Sequence, residues 1–123
     1  MEPDTVFAAV GGQPFFDALV GRFYERVEND TVLRPLYTAD LEPGKRALAL
    51  FLGQYWGGPP VYSEEKGHPR LRMRHAPFRI THVERAAWLG AMLAGLAEAD
   101  VPPDIAEAMR EYFAMAADAM VNS

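Results

Sequence analysis

Apolar residues recur along this chain at intervals of three and four, and proline and glycine divide them into blocks. Gly11-Gly12 closes a short opening segment. Phe16, Leu19, Val20, Phe23, Tyr24 and Val27 then form a helical stripe that Asn29-Asp30 ends. Val32 to Tyr37 reads as a short turn interrupted by Pro35. A second helix is expected after Pro43-Gly44, with Leu48, Phe51, Leu52, Tyr55 and Trp56 on its apolar face, and Gly57-Gly58-Pro59-Pro60 stops it.

Farther on, Pro69 and Pro77 leave Arg70 to Ala76 room for about two helical turns. Thr81-His82-Val83-Glu84 has the S/T-x-x-E form of a capping box, so a long helix should start there, with Val83, Ala87, Trp88, Ala91, Met92 and Leu96 facing inward. Pro102-Pro103-Asp104 opens a last helix striped by Ile105, Met109, Tyr112, Phe113, Ala116 and Met120. No stretch alternates with a period of two. The expected fold is all-α, as one domain over residues 1–123.

Charge adds a second feature. The chain carries 12 Lys and Arg against 17 Asp and Glu, a net charge of -5. Yet Lys66 to Arg79, KGHPRLRMRHAPFR, holds Lys66, Arg70, Arg72, Arg74 and Arg79, and no acid lies between Glu65 and Glu84. His68 and His75 sit inside it. A basic segment with embedded imidazoles suits an anionic ligand that also needs a nitrogen donor, and haem is such a ligand. A solvated arginine-rich loop explains the same charges equally well. The overall acidity argues against nucleic-acid binding. With no cysteine, disulfides, thiolate metal sites and covalent haem attachment through C-x-x-C-H are excluded. The longest uncharged apolar run, Ala86 to Ala97, is 12 residues, too short for a bilayer span. The opening MEPDTVFAAVGG lacks the features of a signal peptide, so the expected location is the cytoplasm.

His75 is the strongest candidate for a metal ligand, since a proline-bounded helix flanked by Arg74 and Phe78 is a stiff mount for an imidazole. The same residue could instead cap a turn or pack on Phe78. His68, in a loop before Pro69, reads as a polar partner, and His82, within the cap, as a surface residue. Their spacing matches no familiar zinc pattern. Tyr24, Tyr37 and Trp88 each carry one polar handle on an apolar body, so they either fill core or turn a hydroxyl or N–H toward a ligand. No phosphate loop, nucleophile elbow or H-E-x-x-H occurs, and no catalytic residue stands out. Any chemistry must come with a cofactor.

The segments FYERV at 23–27, FLGQYWGGPPVYSEE at 51–65, GHPRLRMRHAPFRI at 67–80, AWL at 87–89 and MVNS at 120–123 resemble the group II truncated haemoglobins over nearly the whole chain. The resemblance implies a truncated globin fold, a two-on-two helical sandwich around haem b. It implies His75 as the iron's proximal ligand and Tyr24, Tyr37 and Trp88 as distal hydrogen-bonding residues. Leu48 and Phe51 then face the haem from the distal helix. Gly44 falls where vertebrate globins carry their distal histidine, leaving an opening that a neighbouring side chain could close. Tyr62, His68, Arg74 and Arg79 are the candidates for holding the propionates.

The implied function is reversible binding of O₂ or another diatomic such as CO or NO at histidine-ligated iron, with slow release from a polar Tyr/Tyr/Trp pocket. Slow release suits capture, sensing or redox chemistry better than oxygen transport. A haem peroxidase or NO dioxygenase is the alternative, with peroxide or sulfide as further ligands, a reductase as electron donor and a homodimer as a possible assembly. A colourless helical module gripping a phosphate or an acidic surface is the third reading.

Overall fold

The structure, a computed structural model, describes residues 5–123. Among these residues the chain forms seven α-helices and no strand: α1 (Val6–Ala9), α2 (Gln13–Glu28), α3 (Glu42–Tyr55), α4 (Val61–Lys66), α5 (Leu71–His75), α6 (His82–Ala97) and α7 (Pro103–Met120). A 3₁₀ turn at Arg34–Leu36 joins α2 to α3. Helix α2 packs on α3 and also crosses α6, which pairs with α7. The result is two helix pairs laid one on the other.

The stripe read from α2 is the centre of the core. Phe16, Leu19, Val20, Phe23 and Val27 are all fully buried, and Met92, Met109 and Phe113 meet them from α6 and α7. Where α2 crosses α6, Arg22 Nε donates to the Gly95 carbonyl at 2.8 Å. The capping box of α6 is formed: the Thr81 side chain accepts from the Val83 N–H at 3.2 Å, and Glu84 accepts from the Thr81 N–H at 2.7 Å.

Four details differ from the pattern-based expectation. Helix α3 starts at Glu42, ahead of Pro43 and Gly44 rather than after them, because a proline is tolerated in the first turn, where N–H groups have no partner. Val83 is 59% exposed, and the buried residues of α6, Ala91, Met92, Gly95 and Leu96, lie farther along the helix. Helix α5 has only five residues, and its N-cap Arg70 adopts left-handed geometry (φ 47°, ψ 49°). The loop before it contains α4, tied to α3 by Gln54 Nε2 donating to Ser63 Oγ (2.7 Å), the Ser63 N–H donating to Gln54 Oε1 (2.9 Å) and a two-pronged Arg46–Glu65 ion pair (2.6 and 3.0 Å).

The Gly57-Gly58 pair does more than end a helix. A Cβ on Gly57 would lie 2.6 Å from Thr5 Cβ, and one on Gly58 would lie 2.6 Å from the Phe7 ring. Helix α1 therefore seats directly on the end of α3, where the Phe7 N–H donates to the Trp56 carbonyl at 2.9 Å.

Candidate functional site

Between the two helix pairs lies a cavity of roughly 290 Å³ with mostly apolar walls. Helix α3 lines one side with Ala47, Leu48, Phe51 and Leu52, while Leu33 and Leu36 close an end. Across from them α7 contributes Tyr112, Phe113, Ala116, Ala117 and Met120. That explains why Tyr112, Ala116 and Met120 are only half-buried despite lying on the apolar stripe of α7: they face the cavity.

His75, the last residue of α5, faces the cavity. Its Nδ1 lies 2.6 Å from the Leu71 carbonyl, one helical turn back. A carbonyl only accepts, so Nδ1 carries a proton, and in the neutral imidazole it is then Nε2 that keeps the lone pair. Hydrogen bonding of this kind orients a metal-binding imidazole and raises its basicity. Among the described residues no three His, Cys, Asp or Glu side chains converge on a possible metal ion. One imidazole in an apolar cavity is therefore the donor set to be explained.

Tyr24 of α2, Tyr37 after the 3₁₀ turn and Trp88 of α6, each with one polar handle, also line the cavity, as do Tyr62 and Tyr112. The Tyr24 and Tyr37 rings pack edge-to-face at 5.6 Å, and Phe23 packs edge-on to both Tyr24 (5.3 Å) and Trp88 (5.6 Å). Burial pushes the Tyr24 hydroxyl up to about 12. Burial also raises Tyr37, helped by Tyr24 beside it, while a hydrogen bond from Trp88 pulls the other way. Both phenols are thus neutral near pH 7 and able to donate. The charged lining residues are already engaged: Glu84 in the α6 cap and Arg85 in an ion pair with Asp118.

The bacterial-like globin family profile matches residues 5–122. The chain is 40% identical over 111 residues to the group 2 truncated hemoglobin YjbI of Bacillus subtilis, covering 90% of this chain and 84% of that protein. This chain belongs to the group II truncated haemoglobins.

Two solved structures agree. The haemoglobin of the thermophilic phototroph Chloroflexus aurantiacus superposes with a TM-score of 0.96 at 56% identity, over 99% of this chain and 100% of that one. A truncated oxygen-avid haemoglobin from Bacillus subtilis gives 0.91 at 39% identity, over 97% and 100%. The all-α truncated globin fold expected from the sequence is the one observed. Membership implies haem, and globins bind diatomic ligands such as O₂.

The residues present fit haem. An apolar cleft suits the macrocycle, and the imidazole at its wall could supply one nitrogen ligand to the iron. Of the residues singled out in the sequence, His75, Tyr24, Tyr37, Trp88, Leu48, Phe51, Tyr62 and Phe78 all line this one cavity. Tyr62 is 4% exposed and packs edge-on to Phe51 at 5.5 Å, whereas Phe78 is 42% exposed at the cavity wall. His68, Arg74 and Arg79 are solvent-exposed and stand outside the lining. His68 Nδ1 accepts from the Arg70 N–H at 3.0 Å, and the Glu84 carboxyl is held below its usual range by its hydrogen bonds from Thr81, with a smaller contribution from Arg79. Gly44 is exposed, and the Tyr24 hydroxyl stands beside it. No helix among the described residues is long and apolar enough to cross a membrane.

Arg85 and Leu71 were not singled out by the sequence reading. Leu71 sits four residues before His75, the helical spacing at which its carbonyl meets the ring nitrogen. Arg85 carries no signal beyond its place one turn into α6.

Proposed function

We propose that this chain holds haem b with His75 as the proximal ligand and retains a diatomic ligand, O₂ foremost, through Tyr24, Tyr37 and Trp88. The observation that carries the reading is the His75–Leu71 hydrogen bond, which leaves Nε2 as a lone-pair donor in an apolar cleft walled on another side by three neutral polar tips. Haem would supply the iron that binds the diatomic and, with a reductant, its redox chemistry.

The chain's own residues set how that iron behaves. Leu71 keeps the proton on Nδ1 of His75. Leu48, Phe51 and Tyr112 exclude water from the cleft. Tyr24, Tyr37 and Trp88 offer O–H and N–H donors to any polarised ligand in the distal space. Each charge-assisted hydrogen bond is worth roughly 1.5–3 kcal/mol, and ~1.4 kcal/mol is tenfold in a rate or an equilibrium. One such bond slows release by about ten- to a hundredfold, and several together favour tenacious holding over delivery. The oxygen-avid Bacillus subtilis relative supports this reading. Arg74, Arg79, His68 and Tyr62 are proposed to hold the propionates from the cavity edge.

Stopped-flow O₂ release from the ferrous protein, compared with a Tyr24→Phe/Trp88→Phe double variant, tests the proposal. Release at least tenfold faster in the variant is expected, and equal rates would remove the distal donors from the account. Rapid turnover of peroxide, or of NO with a reductant, would favour the redox-enzyme reading instead.

A further inference from the structure

The link from α5 to α6, Ala76 to Thr81, is neither helix nor strand, so its backbone polar groups must find partners elsewhere. One distant residue provides three of them, and it also reaches the last carbonyl of α5. Asn122 Nδ2 donates to the Phe78 carbonyl at 2.8 Å and to the His75 carbonyl at 3.3 Å. Its Oδ1 accepts from the Ile80 N–H at 2.9 Å, and its own N–H donates to the Ile80 carbonyl at 2.9 Å. Asn122 lies just beyond α7 and 47 positions from His75.

Helix α5 is too short to hold itself in place. It has five residues, begins on a left-handed Arg70 and is followed by Pro77, which has no N–H to give. Two links in series therefore orient the imidazole. The Leu71 carbonyl fixes the ring on its own helix, and Asn122 fixes the corner that carries the helix's last residue. The chemistry calls for an amide, because the same side chain must accept one hydrogen bond and donate two.

We propose that Asn122 is a positioning residue for His75, setting the height and tilt at which the proximal imidazole meets the cavity. The proposal rests on the reading of His75 as the haem ligand. It assigns to the residues after α7 a part in tuning the proximal side.

Asn122→Ala and Asn122→Asp test it. Alanine removes every side-chain contact, while aspartate keeps the acceptor and loses both donors. Neither touches the backbone bond to Ile80, so the tail stays attached. In the apoprotein, amide exchange at Ile80 should quicken in Asn122→Ala. In the ferrous haem-loaded protein, both variants should shift or broaden the iron–histidine stretching band, and haem loss to excess apomyoglobin should be about tenfold faster, equivalent to about 1.4 kcal/mol. A lower melting temperature with an unchanged band and unchanged haem loss would reduce Asn122 to a structural tie and overturn the proposal. Failure of the wild-type protein to take up haem would defeat the haem reading itself, and that result is visible before any variant is made.

Discussion

The Tyr24 hydroxyl stands where a side chain on Gly44 would begin: a Cβ added to Gly44 would lie 2.9 Å from the Tyr24 oxygen. Glycine in the first turn of α3 thus makes room for a polar tip from α2. The opening expected beside Gly44 is flanked by that tyrosine.

Gly44→Ala should therefore act on Tyr24. The ring is held edge-on by Phe23 at 5.3 Å and Tyr37 at 5.6 Å, so it has little room to swing away. Overpacking of this kind costs about 1–3 kcal/mol, against a helix-propensity gain of up to about 1 kcal/mol. A net loss near 1 kcal/mol in thermal unfolding is expected, with a several-fold change in ligand release. Unchanged release would mean that the Tyr24 hydroxyl does not reach the ligand.

Trp88→Phe keeps the edge-on packing against Phe23 (5.6 Å) and Phe113 (6.1 Å) but deletes the indole N–H. Stability should change little, while O₂ release accelerates ten- to a hundredfold if one charge-assisted bond is lost. Stopped-flow mixing of the oxygenated protein with dithionite reads this directly.

Alkaline pH should destabilise the fold through its buried phenols. Burial raises Tyr24 to about 12, and burial followed by the neighbouring Tyr55 raises Tyr112 to about 12. Tyr37 rises too, chiefly by burial. A folded-state pKa above the unfolded value near 10 means that the folded protein holds more protons between those two values. Stability is then fully present below about pH 10 and is lost as pH climbs toward 12, at up to about 1.4 kcal/mol per pH unit for each group. Urea unfolding of the apoprotein from pH 8 to 11.5 should show this slope, and Tyr24→Phe should reduce it. Ligand release should stay flat from pH 6 to 9, where the phenols remain neutral.

Much of this was legible in the chain because helical periodicity and punctuation are local signals. The α2 stripe, the Thr81–Glu84 cap and the proline start of α7 each follow from a few neighbouring residues. The cavity is less legible, since Tyr112, Ala116 and Met120 obey the same periodicity as buried core and only the packing of α7 turns them toward a gap. Gly57 and Gly58 show the same limit: their helix-stopping role is local, but the close approach of Thr5 and Phe7 is not. Asn122 is a sharper case, because its partners lie 42 to 47 positions away.

Arg70 offers a test of backbone strain beside the site. A non-glycine residue at φ 47° pays a conformational cost that glycine avoids. Arg70→Gly keeps the backbone N–H that donates to His68 Nδ1 and should stabilise the apoprotein by about 0.5–1 kcal/mol in denaturant unfolding; no gain would mean that this residue carries no strain.

The central claim is that His75 ligates haem in this cavity, and absorption spectra test it most directly. Protein reconstituted with haem would be recorded oxidised, reduced, and reduced with CO, alongside His75→Ala. The account predicts one haem per chain, with a Soret band that shifts on reduction and again with CO, and loss of the histidine-ligated ferrous spectrum in the variant. Wild-type spectra retained by His75→Ala, or no stoichiometric haem uptake by the wild-type protein, would contradict it.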